Sequence, residues 1–538
     1  TFGSLIQIPA AFAKKLPELE SKLNTALASG DIFAQQSAQE LLPLVQQAKL
    51  LAKQYDAVIA NPPYMGNKYI NPNLKTYLTK NYKGYDKDLF SAFVIRNSLF
   101  IKTNGQLGFM TPYTWMSLSS YEKLRKNLSK SKSITSLVKP SFTMFFDSAI
   151  VSVVAFTVAN TVENINGTYF DLGHLGSAES QPIKFLETIN SNDSTLKFLS
   201  SQEKFKKIPG SPVAFWVSDK VGEIFEKNLA IGNIADAVVG LQTGDNNRFL
   251  RFWQEVSIQR IGFHFENREQ AKFSNKKWFP YNKGGDFRKW YGNQELIVNW
   301  ENDGFEIRNF VDANGKQRSR PQNTEFYFRQ SVSWSFISAS YFGVRYYPTG
   351  FIFDVGGSSL FPKHNHYKVI TGFLCSYIAP QLMKVVNPTV NFQVGNIQQL
   401  PYIEVTEKNN HVETCIQIAK YDWDSYETSW DFTQNPIIRT QQPNLKQAFN
   451  TWQQQNSNAV AEMKRLEEEN NKLFIDAYSL QDELTPDVPD EQITLTRADR
   501  EKDSQRLVSY ALGCMMGRYS LDEPGLIYAH AGNQDFDA

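Results

Sequence analysis

Apolar residues recur at three-to-four spacing through residues 1–54, at Leu16, Leu19, Leu23 and Leu27 and again at Leu41, Leu42, Val45, Ala48 and Leu51. This period predicts a helical hairpin with one face packed on a sheet. At Tyr55 the pattern changes to a short apolar run, Tyr55-Asp56-Ala57-Val58-Ile59-Ala60, with two β-branched residues. It predicts a short buried strand. A helix is expected next, ending near Ile101, with Asp86 or Asp88 as its cap. Gly105 to Pro112 reads as another buried strand, Ser119 to Leu128 as a helix, and the β-branched run Ala149 to Val158 as a long strand. Strand, helix, strand, helix, strand predicts a parallel α/β sheet over residues 1–160.

Residues 161–218 are mixed and polar and read as a connector. A second globular unit is expected over residues 219–405. Alternation from Val332 to Arg345 and the run Phe351-Ile352-Phe353 signal strands, and a helix near Ile370 to Val385 precedes the closing stretch Asn387 to Ile397. The loops of this unit mix Gly, Asn, Lys and Arg with aromatics, as in Gly240 to Phe249 and Tyr281 to Asn293. From Pro443 the helical period returns. Leu445, Phe449, Trp452, Ala459, Met463, Leu466, Leu473 and Ala477 form a seam, with Glu467, Glu468 and Glu469 outside it. That predicts a long helical spacer within a helical region at 440–520.

The strand at Tyr55 runs into Asn61-Pro62-Pro63-Tyr64-Met65-Gly66. Each Pro fixes φ and removes an N–H, and the residue before a Pro leaves the helical region. The result is a stiff loop at the carboxyl end of a strand, where open α/β sheets hold their ligands. Its groups suit one chemistry. The exocyclic amine of a base is a poor nucleophile, because its lone pair is delocalised into the ring. Two acceptors holding both amino hydrogens turn that lone pair toward an electrophilic methyl group. Asn61 offers a side-chain carbonyl, Pro62 a backbone carbonyl, and Tyr64 a ring on which a flipped base can stack. This is positioning and electrostatics without a covalent enzyme intermediate. The bland alternative is a Pro-rich turn after a strand.

Composition changes this picture little. The chain has 538 residues, enough for about three domains, with 41% hydrophobic and 14% aromatic residues. The net charge of +1 means that any nucleic-acid binding must use local patches. Cys375, Cys415 and Cys514 are far apart with no metal-ligand spacing, so no metal is expected and a reducing, cytoplasmic setting fits. No apolar run of membrane-spanning length and no signal peptide is visible, and no membrane partner is expected. The chain opens on Thr1 rather than Met and reads as a segment of a longer protein. Lys123, Arg125, Lys126, Lys130, Lys132 and Lys139 face one acid, Glu122. They form either a solvated helix face or a phosphate-binding surface.

Four stretches in order carry a resemblance: Asn61-Pro62-Pro63-Tyr64, Asp88-Leu89-Phe90-Ser91-Ala92-Phe93, Gln106 to Pro112, and Phe145-Phe146-Asp147-Ser148 leading into Ala149 to Val154. In order and spacing they resemble the catalytic half of adenine-specific DNA methyltransferases of the amino-methyltransferase type. The second unit resembles target-recognition domains of single-chain restriction-modification enzymes. Lys283-Gly284-Gly285 with Arg288 to Asn293 is similar to the methyltransferases of BREX phage-exclusion systems. The resemblance implies a Rossmann-like α/β catalytic half, a mixed α+β target-recognition domain and C-terminal helices. It implies site-specific N6-adenine methylation of double-stranded DNA with S-adenosylmethionine, in phage defence and with other defence proteins as further partners. Asn61 and Pro62 would accept from the target amine, with Pro63 stiffening the loop. Tyr64 and Phe146 would stack on opposite faces of the base, and Phe93 would contact the cofactor's adenine beside Asn61. The plain alternatives are a core aromatic for Phe93 and a strand-edge residue for Phe146. No Gly-rich strand-to-helix turn lies upstream of Asn61, so the cofactor's main loop is expected outside these residues. Lys283 is expected on a phosphate and Arg288 at a base edge or groove, unless both brace the Gly-rich turn against Trp290 and Tyr291. The alternatives for the whole are a bifunctional enzyme with a nuclease outside this segment, and an inactive DNA-binding specificity subunit.

Overall fold

The computed structural model describes residues 2–527 except 142–151, 162, 164, 174, 176–178, 192–194, 339–340, 364–365, 390 and 406–409. The chain divides into two compact units, Thr1–Glu226 and Lys227–Ala538.

The first unit opens with the expected hairpin, α1 (Leu16–Leu27) and α2 (Ile32–Ala52). Asp31 caps α2 by accepting from the N–H groups of Phe33 and Ala34. A six-stranded sheet follows, built from β1 (Tyr55–Ala60), β2 (Ile101–Pro112), β3 (Ser133–Lys139), β4 (Val153–Ala159), β5 (Asn166–Asp171) and β6 (Lys197–Ser201). Their order is β1-β2-β4-β3-β5-β6. The helices between them are α3 (Pro72–Asn81), α4 (Leu89–Asn97) and α5 (Glu122–Ser131), and α6 (Ser180–Asn190) precedes β6.

Three expectations change here. The sheet is mixed, not parallel: β1 and β2 are parallel, whereas β4 runs antiparallel to both β2 and β3. A hairpin-like return is open to β4 because its β-branched residues suit a central strand of either direction. Residues 161–218 are not a free connector, because β5 and β6 extend the sheet through β3. Tyr169 and Phe170 of β5 are buried, and these apolar residues sit among polar neighbours that masked the strand. β1 is not buried either. It is the edge strand, paired on one side only, and Ile59 is 86% exposed. Its apolar run reads as interior, but among the described residues no strand pairs with its outer edge. The core lies instead around β2, β4 and α4, where Phe90, Leu107, Trp115, Leu137, Val154 and Tyr169 pack together.

The second unit holds two four-stranded sheets. One contains β8 (Leu250–Phe252), β9 (Trp278–Asn282), β10 (Leu296–Asn299) and β13 (Ile352–Phe353), in the order β13-β9-β10-β8. The other contains β7 (Ala235–Val238), β11 (Ser331–Trp334), β12 (Val344–Tyr347) and β14 (Ser359–Pro362), in the order β12-β11-β14-β7. The single helix expected near 370–385 is two, α7 (Tyr367–Cys375) and α8 (Ile378–Val386), bent by 77°. Both are largely buried, and no single helix among the described residues is long and apolar enough to cross a membrane.

The C-terminal helices are α9 (Asn410–Trp423), α10 (Leu445–Ala477) and α11 (Arg500–Met515). The 33-residue α10 is a packed element of this unit rather than a spacer. Glu467, expected outside its seam, is 2% exposed and pairs with the buried Lys289, while Trp290 Nε1 donates to Glu467 Oε1 at 2.7 Å. A polar residue enters the core here because two donors from one loop converge on it.

Candidate functional site

The stiff loop leaves the carboxyl end of β1 beside β2, where Ala60 is in register with Phe109. Pro62 is buried, Asn61 and Pro63 are exposed, and Tyr64 is half-buried against the core cluster of Phe90 and Trp115. The Tyr64 hydroxyl donates to Asn61 Oδ1 at 2.9 Å. Asn61 therefore presents its carbonyl on the same side as the Tyr64 ring, with a donor already seated on it. Burial pushes the Tyr64 hydroxyl above its ordinary range, so it is a neutral donor at physiological pH.

What holds the loop is Asp88. Its Oδ1 accepts from Met65 N at 3.0 Å and from Phe90 N at 3.2 Å. It thus caps α4 and pins the Asn61 loop with one oxygen. Backbone bonds complete the clamp: Leu89 N donates to Met65 O at 3.0 Å, and Asn67 N to Lys87 O at 3.0 Å. Burial raises the Asp88 carboxyl, with the amides of Phe90, Met65 and Leu89 opposing that shift. Of the two caps the sequence allows, Asp88 serves α4, whereas Asp86 accepts from Gly84 N at 3.0 Å. The clamp on the loop was not foreseen. Its only sequence signal is an acid one residue ahead of an apolar helix.

Phe93 lies on α4, partly buried against Leu5, Ile70, Leu78, Tyr82 and Leu89. This is the core setting the sequence left open for it. Phe146 lies outside the described residues. Of the cationic run near α5, most members are already engaged. Arg125 is buried and donates to the carbonyls of Trp115, Leu118 and Gly210. Lys126 pairs with Glu122 and Lys139 with Asp171, and Lys132 donates to Asn160 Oδ1 at 2.8 Å. Lys123 reaches Lys83 O at 2.5 Å and lies over the Tyr85 ring. These members of the run are held by contacts within the unit.

In the second unit the turn after β9 carries Lys283, Gly284 and Gly285. Gly284 has φ +86°, and a Cβ there would lie 2.5 Å from Gly356 O. The bare backbone is thus required by the neighbouring 354–357 turn. Lys283 Nζ is 3.2 Å from Asp354 Oδ2 and 3.3 Å from Asn246 Oδ1. Arg288 does not face solvent. Its guanidinium is 3.2 Å from Asp422 Oδ2 and lies over the Trp423 ring at 4.9 Å. Burial raises the Asp422 carboxyl to about 6 against the pull of Arg288. The structure gives Arg288 the bracing role, with α9 rather than Trp290 and Tyr291 as its partner. Among the described residues no cluster of His, Cys, Asp and Glu could hold a metal ion.

Residues 11–146 match the family described as Eco57I restriction-modification methylase. Over its whole length the chain is 34% identical to the adenine-specific methyltransferase PglX of Lacticaseibacillus casei (strain Zhang). It is likewise 34% identical to the adenine-specific methyltransferase BrxX of Escherichia coli O9:H4 (strain HS). This chain is a relative of the PglX and BrxX methyltransferases. It spans under half of their length, 45% of PglX and 44% of BrxX. The similarity to PglX covers both units, so the loop at Asn61 and the two small sheets with their helices belong to one shared stretch. Among solved structures, the type IIL restriction-modification enzyme MmeI in complex with DNA superposes with a TM-score of 0.48 at 13% identity, over 85% of this chain and 57% of that one.

Proposed function

We propose that this chain carries the amine-activating loop and the DNA-reading unit of a site-specific N6-adenine DNA methyltransferase. It uses S-adenosylmethionine and serves phage defence. The observation that carries the reading is the pairing of Asn61 with Tyr64 on a stiff, clamped loop at a strand end. Relatedness to PglX and BrxX, named as adenine-specific, favours adenine over cytosine, since both amines need the same two acceptors.

In this reading the target adenine is flipped onto the Tyr64 ring. Its amine displaces the Tyr64 hydroxyl from Asn61 Oδ1, and the Pro62 carbonyl takes the second hydrogen. The lone pair then points out of the ring plane toward the methyl group that bound S-adenosylmethionine supplies. Asp88 keeps the loop from drifting, which matters because misplacement of about 1 Å costs roughly 100-fold. The residues present fit part of a cofactor site. The exposed end of β1 and Asn61 would border it, with Phe93 available only from the rim of its apolar cluster. The test is methyl transfer to duplex DNA by the full-length protein. N6-methyladenine is expected, and methylcytosine or no transfer contradicts the proposal.

The open edge of β1 and the exposed Ile59 support a reading in which further strands pair there and complete the cofactor site. Calorimetric titration of S-adenosylmethionine into the 538-residue chain alone should therefore show no micromolar binding. Micromolar binding would show that the cofactor site is complete within these residues.

Tyr64→Ala should weaken base stabilisation by about 1–3 kcal/mol, the scale of aromatic stacking. Tyr64→Phe keeps the ring and removes only a donor that the substrate amine must displace, so its turnover should stay close to wild type. Single-turnover rates of the two variants decide this, and a Phe variant as slow as Ala would give the hydroxyl a catalytic role.

A further inference from the structure

The second unit carries an exposed polar ridge that the reading above leaves without residues in named roles. Two segments far apart in sequence, Gly240–Asn247 and Arg318–Asn323, are zipped together there. Gln242 N donates to Arg320 O at 3.0 Å and Arg320 N donates to Gln242 O at 2.7 Å, a hydrogen-bonded antiparallel pair. Side chains of such a pair leave the same face of the ribbon, about 5.5 Å apart at the backbone. Both side chains are exposed, and neither has a partner among the described residues.

The backbone beneath them is rigid. Gln322 Nε2 donates to Gly240 O at 3.2 Å and Asn323 Nδ2 to Val239 O at 2.8 Å. Gly244, at φ +75°, lies so close to the other segment that a Cβ would sit 2.7 Å from Arg318 O. Pro321 holds Arg320 in the extended region. Below the pair, Leu241 is fully buried and its N–H donates to Phe353 O at 2.8 Å, which anchors the ribbon to the strand β13.

The charges around the pair are sorted. Arg248 is paired with Glu306, Lys283 with Asp354, and the Asp245 carboxylate accepts from Arg248 N at 3.1 Å. Arg318 lies over the Phe310 ring at 5.1 Å and has no carboxylate partner among the described residues. Arg320 and Gln242 are thus uncommitted hydrogen-bonding side chains standing side by side on one braced antiparallel bridge, with Arg318 at its flank. Two extended segments paired in this way are narrow enough for the DNA major groove. There an Arg fork matches O6 and N7 of guanine, and a Gln amide matches N6 and N7 of adenine.

We propose that Gln242 and Arg320 form a paired base reader. Arg320 specifies a guanine and Gln242 an adjacent adenine within the recognition site, and Arg318 holds a flanking phosphate. The proposal rests on the DNA-methyltransferase reading and adds to it the residues that set its sequence.

The test uses the full-length protein in its wild-type, Gln242→Ala, Arg320→Lys and Arg318→Ala forms. Modified sites are mapped in cells, and binding is measured to the cognate duplex and its single-base-pair variants over a salt series. Arg320→Lys keeps the charge and loses the fork, so it separates base reading from phosphate holding. Expected for Arg320→Lys is a loss of discrimination of about tenfold to a hundredfold at one G·C position, with the salt slope unchanged. Gln242→Ala should relax one adjacent A·T position by a similar factor. Arg318→Ala should weaken all duplexes alike and lower the salt slope by about one. Wild-type discrimination at every position in both Gln242→Ala and Arg320→Lys overturns the paired reader while leaving methylation standing. A wild-type protein that modifies no site overturns the methyltransferase reading itself.

Discussion

Asn61→Ala in the full-length protein is expected to lower turnover by at least about 100-fold, comparable to the loss of one oxyanion donor. The magnitude follows from what the substitution takes away and what it leaves. It takes away Oδ1, the one side-chain acceptor that the loop presents beside the Tyr64 ring. It leaves the buried Pro62, the fixed φ of both prolines and the Asp88 clamp on Met65, so the loop keeps its course. The side chain is exposed, so no core is disturbed and stability should hold. Affinity for DNA should change little, because the phosphates and base edges that dominate it are held elsewhere. The measurement is the single-turnover rate alongside duplex binding. A variant within tenfold of wild type would remove Asn61 from the mechanism.

The second large effect concerns stability. Glu467→Ala should destabilise the second unit by about 3–5 kcal/mol, since it strands a buried charge. Lys289 lies at 4% exposure with Glu467 as its ion-pair partner, and Trp290 Nε1 shares the same carboxylate. Replacing both charges, as in Lys289→Met with Glu467→Leu, should recover most of the loss, because a packed apolar pair avoids desolvation. The remainder is the Trp290 N–H left without an acceptor. Urea unfolding of the single and double variants checks this. A single variant as stable as wild type would mean that water reaches Lys289 when Glu467 is gone.

The pair also marks a limit of reading this chain from its sequence. The three-to-four period gives α10 correctly, and it assigns Glu467 to the outer face because a carboxylate ordinarily stays wet. The partner that reverses this lies about 180 residues away, and no local pattern carries it. β1 shows the opposite error. Its apolar composition is that of an interior strand, and only the sheet order reveals it as an edge. The residues 161–218 read as a connector because the buried pair Tyr169 and Phe170 of β5 stands among polar residues in a strand of only six, too short to stand out.

The course of the Asn61 loop was legible because its stiffness is local. Prolines fix the backbone wherever they stand, and they push the Asn ahead of them into the extended region. What was not legible is how the loop is held, since Asp88 lies 23 residues from Met65. The same holds for the second unit. The glycines at 284 and 285 signal a close approach, and the structure shows the neighbours to be the 354–357 turn for Gly284 and the Asn293 side chain for Gly285. Arg288 looked free beside them and is instead locked to Asp422.

In the proposed function the loop at Asn61 methylates adenine in duplex DNA at a defined sequence. This reading is tested most directly by mapping base modifications in cells that express the full-length protein, beside cells expressing its Asn61→Ala form. The account predicts N6-methyladenine in one sequence context with the first and none with the second. Modified cytosine, adenine methylation without a context, or an unchanged pattern in the Asn61→Ala cells would contradict it.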